Sequence, residues 1–193
     1  MSMNAIFKVP KAYNEPVLEH RPGSPEREAV QDALNRRMDT VLDIPMYIGG
    51  EHVHTDDKHD LAPPHKHQHV IAKYSRGGSQ HVNQAIDAAL KAKAEWEGMT
   101  FEERAAIFLR AAELISTKYR AEMLAATMLA QSKNVHQAEI DCVAELADFL
   151  RFNVEYARDI YTEQPNSSQG MWNRLEYRPL EGFVFAITPF NFT

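Results

Sequence analysis

The stretch that decides the fold class is Gly182-Phe183-Val184-Phe185-Ala186-Ile187-Thr188-Pro189-Phe190-Asn191-Phe192-Thr193. Apolar side chains occupy successive positions from Phe183 to Ile187, whereas a strand with one solvated face alternates apolar and polar residues. The pattern predicts a strand covered on both faces, as in a parallel sheet flanked by helices. Since a parallel sheet needs further strands and none follow, we expect an α/β protein of which this chain is the front part.

The composition is that of a folded domain rather than a disordered chain. The 193 residues are 44% hydrophobic and 9% aromatic, which is enough apolar material for a core. A net charge of -6 with scattered Lys and Arg argues against nucleic-acid binding, and no apolar run reaches the roughly 20 residues of a membrane span. The start has no secretory or transit pattern. We expect a cytoplasmic protein with no nucleic-acid or membrane partner, or a mitochondrial matrix protein if a transit peptide has been removed.

Composition and periodicity divide the chain into four parts. Residues 1–45 hold a proline-rich arm and a helix, and residues 46–163 hold a strand pair followed by helices. Residues 164–181 hold a loop and an exposed strand, Met171 to Tyr177, and residues 182–193 hold the buried strand and its turn. No repeat or flexible linker separates these parts, so they are not expected to fold independently.

Helix and strand signals begin after the proline-rich arm. Ser24 and Pro25 predict a helix start, because serine caps free amides and proline suits the first helical position. This helix is expected to run to about Leu42, ahead of a proline. Strand patterns at Met46 to Val53 and Gln68 to Tyr74 flank a polar loop and predict an antiparallel pair.

The centre of the chain has the apolar spacing of amphipathic helices. Spacings of three and four predict four helices, with a capping box at Thr100 opening the second. The last keeps its apolar stripe, from Ile140 to Tyr161, for seven turns, so one continuous helix with these residues facing inward is expected. Trp96 and Tyr119 are expected in the core. The predicted helices are Ser79 to Glu97, Phe101 to Ile115, Arg120 to Ser132, and Val135 to Tyr161.

The polar residues after the predicted buried strand are candidates for a binding site. Open α/β sheets bind ligands beyond the carboxyl ends of their strands, which is where Asn191 follows Phe190. An asparagine amide there can donate a hydrogen bond to a developing oxyanion. Composition alone favours a simpler role, because asparagine also closes turns.

The single cysteine, Cys142, excludes a disulfide or a Cys-rich zinc site within this chain. It lies in mid-helix next to the apolar stripe, with no adjacent cation to lower its pKa. This position predicts a small buried hydrophobe rather than a nucleophile.

A cluster of histidines raises the question of metal binding. A His-x-His pair on a strand places both imidazoles on one face, which metals can use. Zinc sites need three or four convergent ligands, however, and a solvated hairpin face explains the same residues. We expect no metal site, and keep a non-catalytic helical protein with a metal-binding or partner-binding hairpin as the alternative. The histidines are His52, His54, His59, His65, His67 and His69.

The closing segment, Leu180 through Thr193, resembles the Pro-(Trp/Phe)-Asn-Phe entry into the nucleotide-binding domain of aldehyde dehydrogenases. Further segments resemble a branch of that family, the 1-pyrroline-5-carboxylate dehydrogenases, which oxidise glutamate semialdehyde in proline catabolism. The resemblance covers nearly the whole chain. Its segments are Asn14-Glu15-Pro16-Val17-Leu18, Gly23-Ser24-Pro25-Glu26-Arg27, Gln137-Ala138-Glu139-Ile140-Asp141, and Ala144-Glu145-Leu146-Ala147-Asp148-Phe149 through Arg151-Phe152-Asn153.

The resemblance implies an enzyme with an α/β fold, NAD as cofactor and a small-molecule aldehyde as substrate, either glutamate semialdehyde or, as the alternative, another aldehyde. The helices and the first strand would belong to a Rossmann-type dinucleotide-binding domain. The strand from Met171 to Tyr177 would fall in the flap through which these enzymes form homo-oligomers. The family's catalytic cysteine, water-activating glutamate and phosphate-binding glycines lie beyond Thr193, so the 193-residue chain alone is expected to be inactive.

The same resemblance implies roles for individual residues. Asn191 matches the family's oxyanion donor, and residues 188–190, Thr188, Pro189 and Phe190, match positions that touch the cofactor. Phe192 matches an aromatic residue beside the aldehyde. Glu145 matches a glutamate near the substrate entrance, although its pattern fits an exposed or ion-paired helix carboxylate equally well.

Overall fold

The computed structural model describes residues 8–192. The first helix, α1 (Pro25–Met38), begins as predicted: Ser24 Oγ accepts a hydrogen bond from the Arg27 amide at 3.4 Å. It ends at Met38, four residues before the predicted end, because the next residues form strand β1 (Leu42–Ile44). Extended backbone in a sheet ladder is incompatible with a longer helix.

The strands of the N-terminal half pair differently from the prediction. Strands β2 (Met46–Ile48) and β3 (Glu51–Val53) form a hairpin by themselves. Gly49 and Gly50 join them with φ angles of 61° and 87°, and such two-residue turns reverse a strand tightly. The predicted antiparallel pairing of Met46–Val53 with Gln68–Tyr74 is therefore wrong.

A separate sheet of three strands uses the second predicted segment. Strand β5 (Ala72–Ser75) lies in the middle, parallel to β1 and antiparallel to β4 (Lys58–Leu61). The two ends of β5, Ala72 and Ser75, are buried.

Helices α2 (Ser79–Gly98), α3 (Phe101–Ser116) and α4 (Arg120–Gln131) follow close to their predicted bounds. The predicted capping box is present, with Thr100 Oγ1 accepting from the Glu103 amide at 3.2 Å and Glu103 Oε2 accepting from the Thr100 amide at 2.7 Å. No helix in the described part of the chain is long and apolar enough to cross a membrane.

The long final helix runs from Val135 to Thr162, close to its predicted bounds, and contains a π-helical segment. It consists of α5 (Val135–Ala138), a π-helical segment (Glu139–Ala144) and α6 (Glu145–Thr162). In a π-turn the amide of residue i+5 donates to the carbonyl of residue i, so side chains around it point in different directions from those of a regular α-helix. Ile140, predicted to face inward, is therefore 38% exposed, whereas Glu139 is fully buried.

Two apolar clusters form the core. The first joins α1, α4, α5 and the π-helical segment. Its buried residues are Val30, Leu124, Ala138, Cys142 and Val143. The second joins α3 to α6 through Phe101, Ala105 and Val154.

Two aromatic residues assigned to the core from their helix pattern lie at the surface instead. Trp96 and Tyr119 are 39% and 44% exposed, so this prediction is wrong. Trp96 packs edge-on against Phe108 beside a groove between α3 and α6, and Tyr119 lies in the connection before α4.

Residues 164–192 run along the outside of the helices. An isolated bridge joins Ser168 to Met171, but the predicted strand from Met171 to Tyr177 does not form. The backbone of Leu175 instead bonds the side chain of Gln164, just after α6.

The closing apolar segment is also exposed. Residues 183–187 pair with no strand among residues 8–192, and Val184 and Ile187 are 82% and 81% exposed. The burial predicted for them is absent here, because an extended segment is covered only when neighbouring strands lie beside it.

Carboxylates of the π-helical segment and of α6 attach the N-terminal arm to the last helix. The amides of Ala12, Glu15 and Leu18 donate to Glu155, Asp148 and Glu139, at 2.8, 2.6 and 3.0 Å. The arm therefore lies along this helix as an extended strap, with its own backbone amides satisfied by side chains.

A buried charge cluster anchors the centre of this strap. Glu139 accepts from Arg120 Nε at 3.0 Å and from His20 Nε2 at 2.9 Å. Arg120 also contacts Glu15 Oε1 at 2.7 Å, and Glu15 in turn pairs with Arg151 at 2.8 Å. Burial by itself raises the pKa of Glu139, but the bonds from Arg120, His20 and the Leu18 amide outweigh it and leave that pKa lowered.

We expect Leu124→Ala to destabilise the chain by about 2–5 kcal/mol, because Leu124 is fully buried and its loss leaves a cavity. Leu90→Ala is the matched control: Leu90 is 45% exposed, so a cost within about 0.5 kcal/mol is expected. Urea unfolding followed by circular dichroism measures both. Equal costs would contradict the assignment of Leu124 to the core.

We expect Glu139→Gln to cost about 3–5 kcal/mol at pH 7, because it removes one of the two carboxylates that pair with the largely buried guanidinium of Arg120. Since the folded pKa of Glu139 is lowered, its contribution is complete above the unfolded value of 4.5 and is lost as the pH falls towards the folded value. The difference between variant and wild type should therefore shrink as the pH falls below about 4.5.

Urea unfolding from pH 7 to the lowest pH at which the wild type folds measures this difference. Glu122→Gln is the control, because Glu122 pairs with Arg36 and Arg37 at the surface, where such pairs contribute up to about 1 kcal/mol. A difference between Glu139→Gln and wild type that stays constant with pH would refute the account of the buried cluster.

Candidate functional site

The candidate site begins where the closing segment turns. Residues 183–189 have no regular secondary structure, and Phe190 and Asn191 form a turn. Thr188, Pro189, Phe190 and Asn191 are all exposed, and Phe190 is 95% exposed. In the described chain their backbone groups and the amide of Asn191 make no hydrogen bond, so these groups are available to a ligand.

The residue after Asn191 attaches this turn to the helices. The carbonyl of Phe192 accepts a hydrogen bond from Gln131 Nε2 at 3.5 Å. The ammonium of Lys133 lies 5.5 Å from the centroid of the Phe192 ring, a distance typical of a cation–π contact. Phe192 is half-exposed, at 44%, whereas its neighbour Phe190 has almost no contact with the protein.

The corner between α4 and α5 supplies both contacts to Phe192. Ser132 ends α4 in the left-handed conformation, with φ 55° and ψ 29°, and its Oγ lies 2.7 Å from His65 Nδ1. Asn134 then caps α5 by accepting from the Gln137 amide at 2.9 Å. These local bonds fix the direction in which Gln131 and Lys133 leave the corner.

An ion pair connects the same corner to the π-helical segment. Lys133 Nζ lies 2.7 Å from Asp141 Oδ2, and the two side chains are only 14% and 26% exposed. Lys133 therefore links the Phe192 ring on one side to the middle of the π-helical segment on the other.

Glu145 is the first residue of α6, directly after the π-helical segment. Its amide donates to the carbonyl of Ile140, which is the i to i+5 pattern of that segment. The carboxylate is half-buried and has no ion pair or hydrogen bond within residues 8–192. The sequence pattern alone fitted an ion-paired or an exposed helix carboxylate, and among the described residues Glu145 is neither. It lies about one helical turn after Asp141.

Cys142 is buried and unsuited to nucleophilic attack. Its Sγ lies 3.6 Å from the carbonyl of Met123, and burial raises the pKa of the thiol. A protonated thiol inside the first core cluster is a structural residue, as its sequence position predicts.

The histidines are dispersed among separate contacts. His54 lies 3.3 Å from Asp43, His65 contacts Ser132, and His69 Nε2 donates to the carbonyl of Met38 at 2.8 Å. Across residues 8–192, no three His, Cys, Asp or Glu side chains converge in a metal-binding arrangement.

Sequence reasoning did not find the Lys133–Asp141 pair. The two residues are eight positions apart across a predicted helix start, and no spacing rule joins them. The polar run Gln131-Ser132-Lys133-Asn134 between two apolar helices marks the corner, but only the fold shows that it faces Phe192.

The chain is similar to known proteins in both sequence and fold. The model of the "Aldehyde dehydrogenase family" matches residues 52–193. A probable delta-1-pyrroline-5-carboxylate dehydrogenase of Schizosaccharomyces pombe is 50% identical over 195 residues, covering 100% of this chain and 36% of that protein. The mitochondrial delta-1-pyrroline-5-carboxylate dehydrogenase of Emericella nidulans is 49% identical over 98% of this chain and 33% of that protein.

A solved structure has the same fold over nearly the whole chain. The delta-pyrroline-5-carboxylate dehydrogenase of Mycobacterium tuberculosis, bound with NAD, superposes with a TM-score of 0.95 at 48% identity. The match covers 98% of this chain and 36% of that one, so the chain spans about a third of the length of the relatives it matches. By its matched residues and its fold, this chain belongs to the aldehyde dehydrogenase family.

Proposed function

We propose that the chain is the N-terminal part of an NAD-dependent enzyme that oxidises L-glutamate γ-semialdehyde, the open form of 1-pyrroline-5-carboxylate, to L-glutamate in proline catabolism. The observation that carries the proposal is about 50% identity, over nearly the whole chain, to proteins named for that activity, together with a matching fold. The exposed turn at Asn191, attached to the helices through Phe192, supports it.

Asn191 is the proposed catalytic residue of this chain. When a nucleophile attacks an aldehyde, the carbonyl oxygen gains negative charge, and a fixed amide donor stabilises that charge more than it stabilises the neutral aldehyde. The Asn191 amide suits this role because it lies on a turn and makes no competing hydrogen bond within residues 8–192.

Residues 188–190 are proposed to bind one side of the cofactor. Their exposed backbone carbonyls and amides and the Thr188 hydroxyl fit one side of a bound dinucleotide, since these groups have no hydrogen bonds within the described chain. NAD, when bound, would supply the hydride acceptor that oxidation of the aldehyde requires. Thr188, Pro189 and Phe190 would orient its nicotinamide end beside Asn191.

Phe192 and Glu145 are the proposed substrate-binding residues. The half-exposed ring of Phe192 offers an apolar wall next to Asn191. Glu145 carries an unpaired carboxylate at the start of α6, in the run that contacts the same corner through Asp141. A carboxylate at a site entrance favours a substrate with a cationic amino group, which glutamate semialdehyde has.

The nucleophile and the water-activating carboxylate are proposed to come from sequence beyond this chain. Cys142 is the only cysteine, and its burial in the first core cluster removes it from the reaction. In this proposal the 193-residue chain alone is inactive.

The proposal also covers how subunits of the enzyme assemble and in which compartment it works. Residues 164–181, which expose Met171, Trp172 and Tyr177, are proposed to join the flap through which subunits form a homo-oligomer. The proposed division of the chain assigns residues 1–45 to an N-terminal arm and helix, residues 46–163 to a strand pair and the helical part of the NAD-binding domain, and residues 182–193 to the first strand of its sheet. The enzyme is proposed to work in the cytoplasm, or in the mitochondrial matrix, where relatives such as that of Emericella nidulans are named as mitochondrial.

The direct test extends the chain to the length of its relatives and measures NADH formation from glutamate semialdehyde. We expect activity in the extended protein and none in the 193-residue chain. No NADH from the folded, extended protein would reject the proposal.

In the extended protein we expect Asn191→Ala to lower kcat by about 10²–10³, because one oxyanion donor is lost. Asn166→Ala is the matched control, because Asn166 is an exposed loop asparagine whose side chain makes no hydrogen bond among the described residues. Steady-state kinetics compare the two variants. An unchanged kcat in Asn191→Ala would remove Asn191 from the catalytic machinery.

A further inference from the structure

The Asn191 turn is attached to the helical body at one corner. Both contacts described above, the hydrogen bond from Gln131 and the ammonium of Lys133 beside the ring, reach Phe192. Asn191 itself makes no hydrogen bond within residues 8–192. Its direction therefore depends on how firmly the next residue is held.

Lys133 is well placed to hold Phe192. Its side chain is only 14% exposed, and its ammonium lies 2.7 Å from Asp141 Oδ2 and 5.5 Å from the centroid of the Phe192 ring. A partly desolvated ammonium attracts an aromatic face more strongly than a solvated one. The carboxylate of Asp141 fixes the ammonium on the helical side, so the ring has a defined partner.

We propose that Lys133 is a positioning residue for Asn191: anchored by Asp141, it fixes the Phe192 ring and thereby the direction of the Asn191 amide towards the reacting oxygen. This inference rests on the proposed function. A transition-state donor must be held closely in place, and a shift of about 1 Å caused far from the chemistry can cost about 10²-fold in rate. The role predicted for Lys133 therefore appears in kcat.

A purely structural role for the Lys133–Asp141 pair makes different predictions. If the pair only joins the corner to the π-helical segment, its loss lowers stability and leaves the kcat of the folded enzyme unchanged. If Lys133 positions Asn191, kcat falls in folded enzyme while KM for the aldehyde changes little.

The experiment uses the extended, NAD-loaded enzyme with Lys133→Met, which keeps the apolar stem and removes the charge. We expect kcat to fall by about 10- to 100-fold, and thermal unfolding to show that the protein is folded at the assay temperature. Lys133→Arg keeps a cation for both partners, and we expect it to retain kcat within about threefold.

Lys118→Met is the matched control. Lys118 also lies over an aromatic ring, that of Tyr119 at 5.0 Å, but it is exposed and joins no part of the candidate site. We expect its kcat to equal that of the wild type.

A double-mutant cycle tests the route from Lys133 to Asn191. If Lys133 acts through the amide of Asn191, adding Lys133→Met to Asn191→Ala should lower kcat by less than about threefold further. An equal additional loss in that background overturns the inference, as does an unchanged kcat in folded Lys133→Met. If Asn191→Ala itself leaves kcat unchanged, the proposed role of Asn191 fails instead, and this result separates the two failures.

Discussion

The buried carboxylate of Glu139 is the constraint on which the rest of this structure depends. A charge without solvent exposure is tolerated only when it is paired and hydrogen-bonded, and Glu139 obtains its partners from two separate parts of the chain, the arm and α4. Arg120 opens α4, while His20 and Leu18 belong to the arm. The cluster therefore requires the arm, α4 and the π-helical segment to be in place together.

The π-helical segment connects this cluster to the candidate site. It turns Glu139 inward and presents Asp141, two residues later, to Lys133 at the corner that holds Phe192. Glu145 follows as the first residue of α6. One irregular segment thus sets the direction of side chains that stabilise the fold and of side chains proposed to serve catalysis. π-turns occur frequently at functional sites, which agrees with this arrangement.

Much of the local structure follows from short-range signals. Ser24, Pro25 and the Thr100–Glu103 capping box mark helix starts correctly, because caps act over one turn. The strand pairing was predicted wrongly and the π-helical segment of the last helix was not predicted, for related reasons. A hairpin at Gly49 competes with a longer-range pairing, and a π-turn depends on where Glu139 finds its partners. The residues of the candidate site were named from family resemblance, whereas their support by Lys133 and Asp141 was not visible in any pattern.

The amino-acid sequence by itself determined the α/β class, the family, the helical centre and the turn that carries Asn191, because these are written in periodicity, caps and short motifs. Only the tertiary structure decided which strands pair, where the last helix becomes π-helical, and which side chains hold the arm and the Asn191 turn. These features come from contacts between residues such as Leu18 and Glu139 that are far apart along the chain. Their energies depend on burial and on partners in three dimensions, and local sequence contains neither.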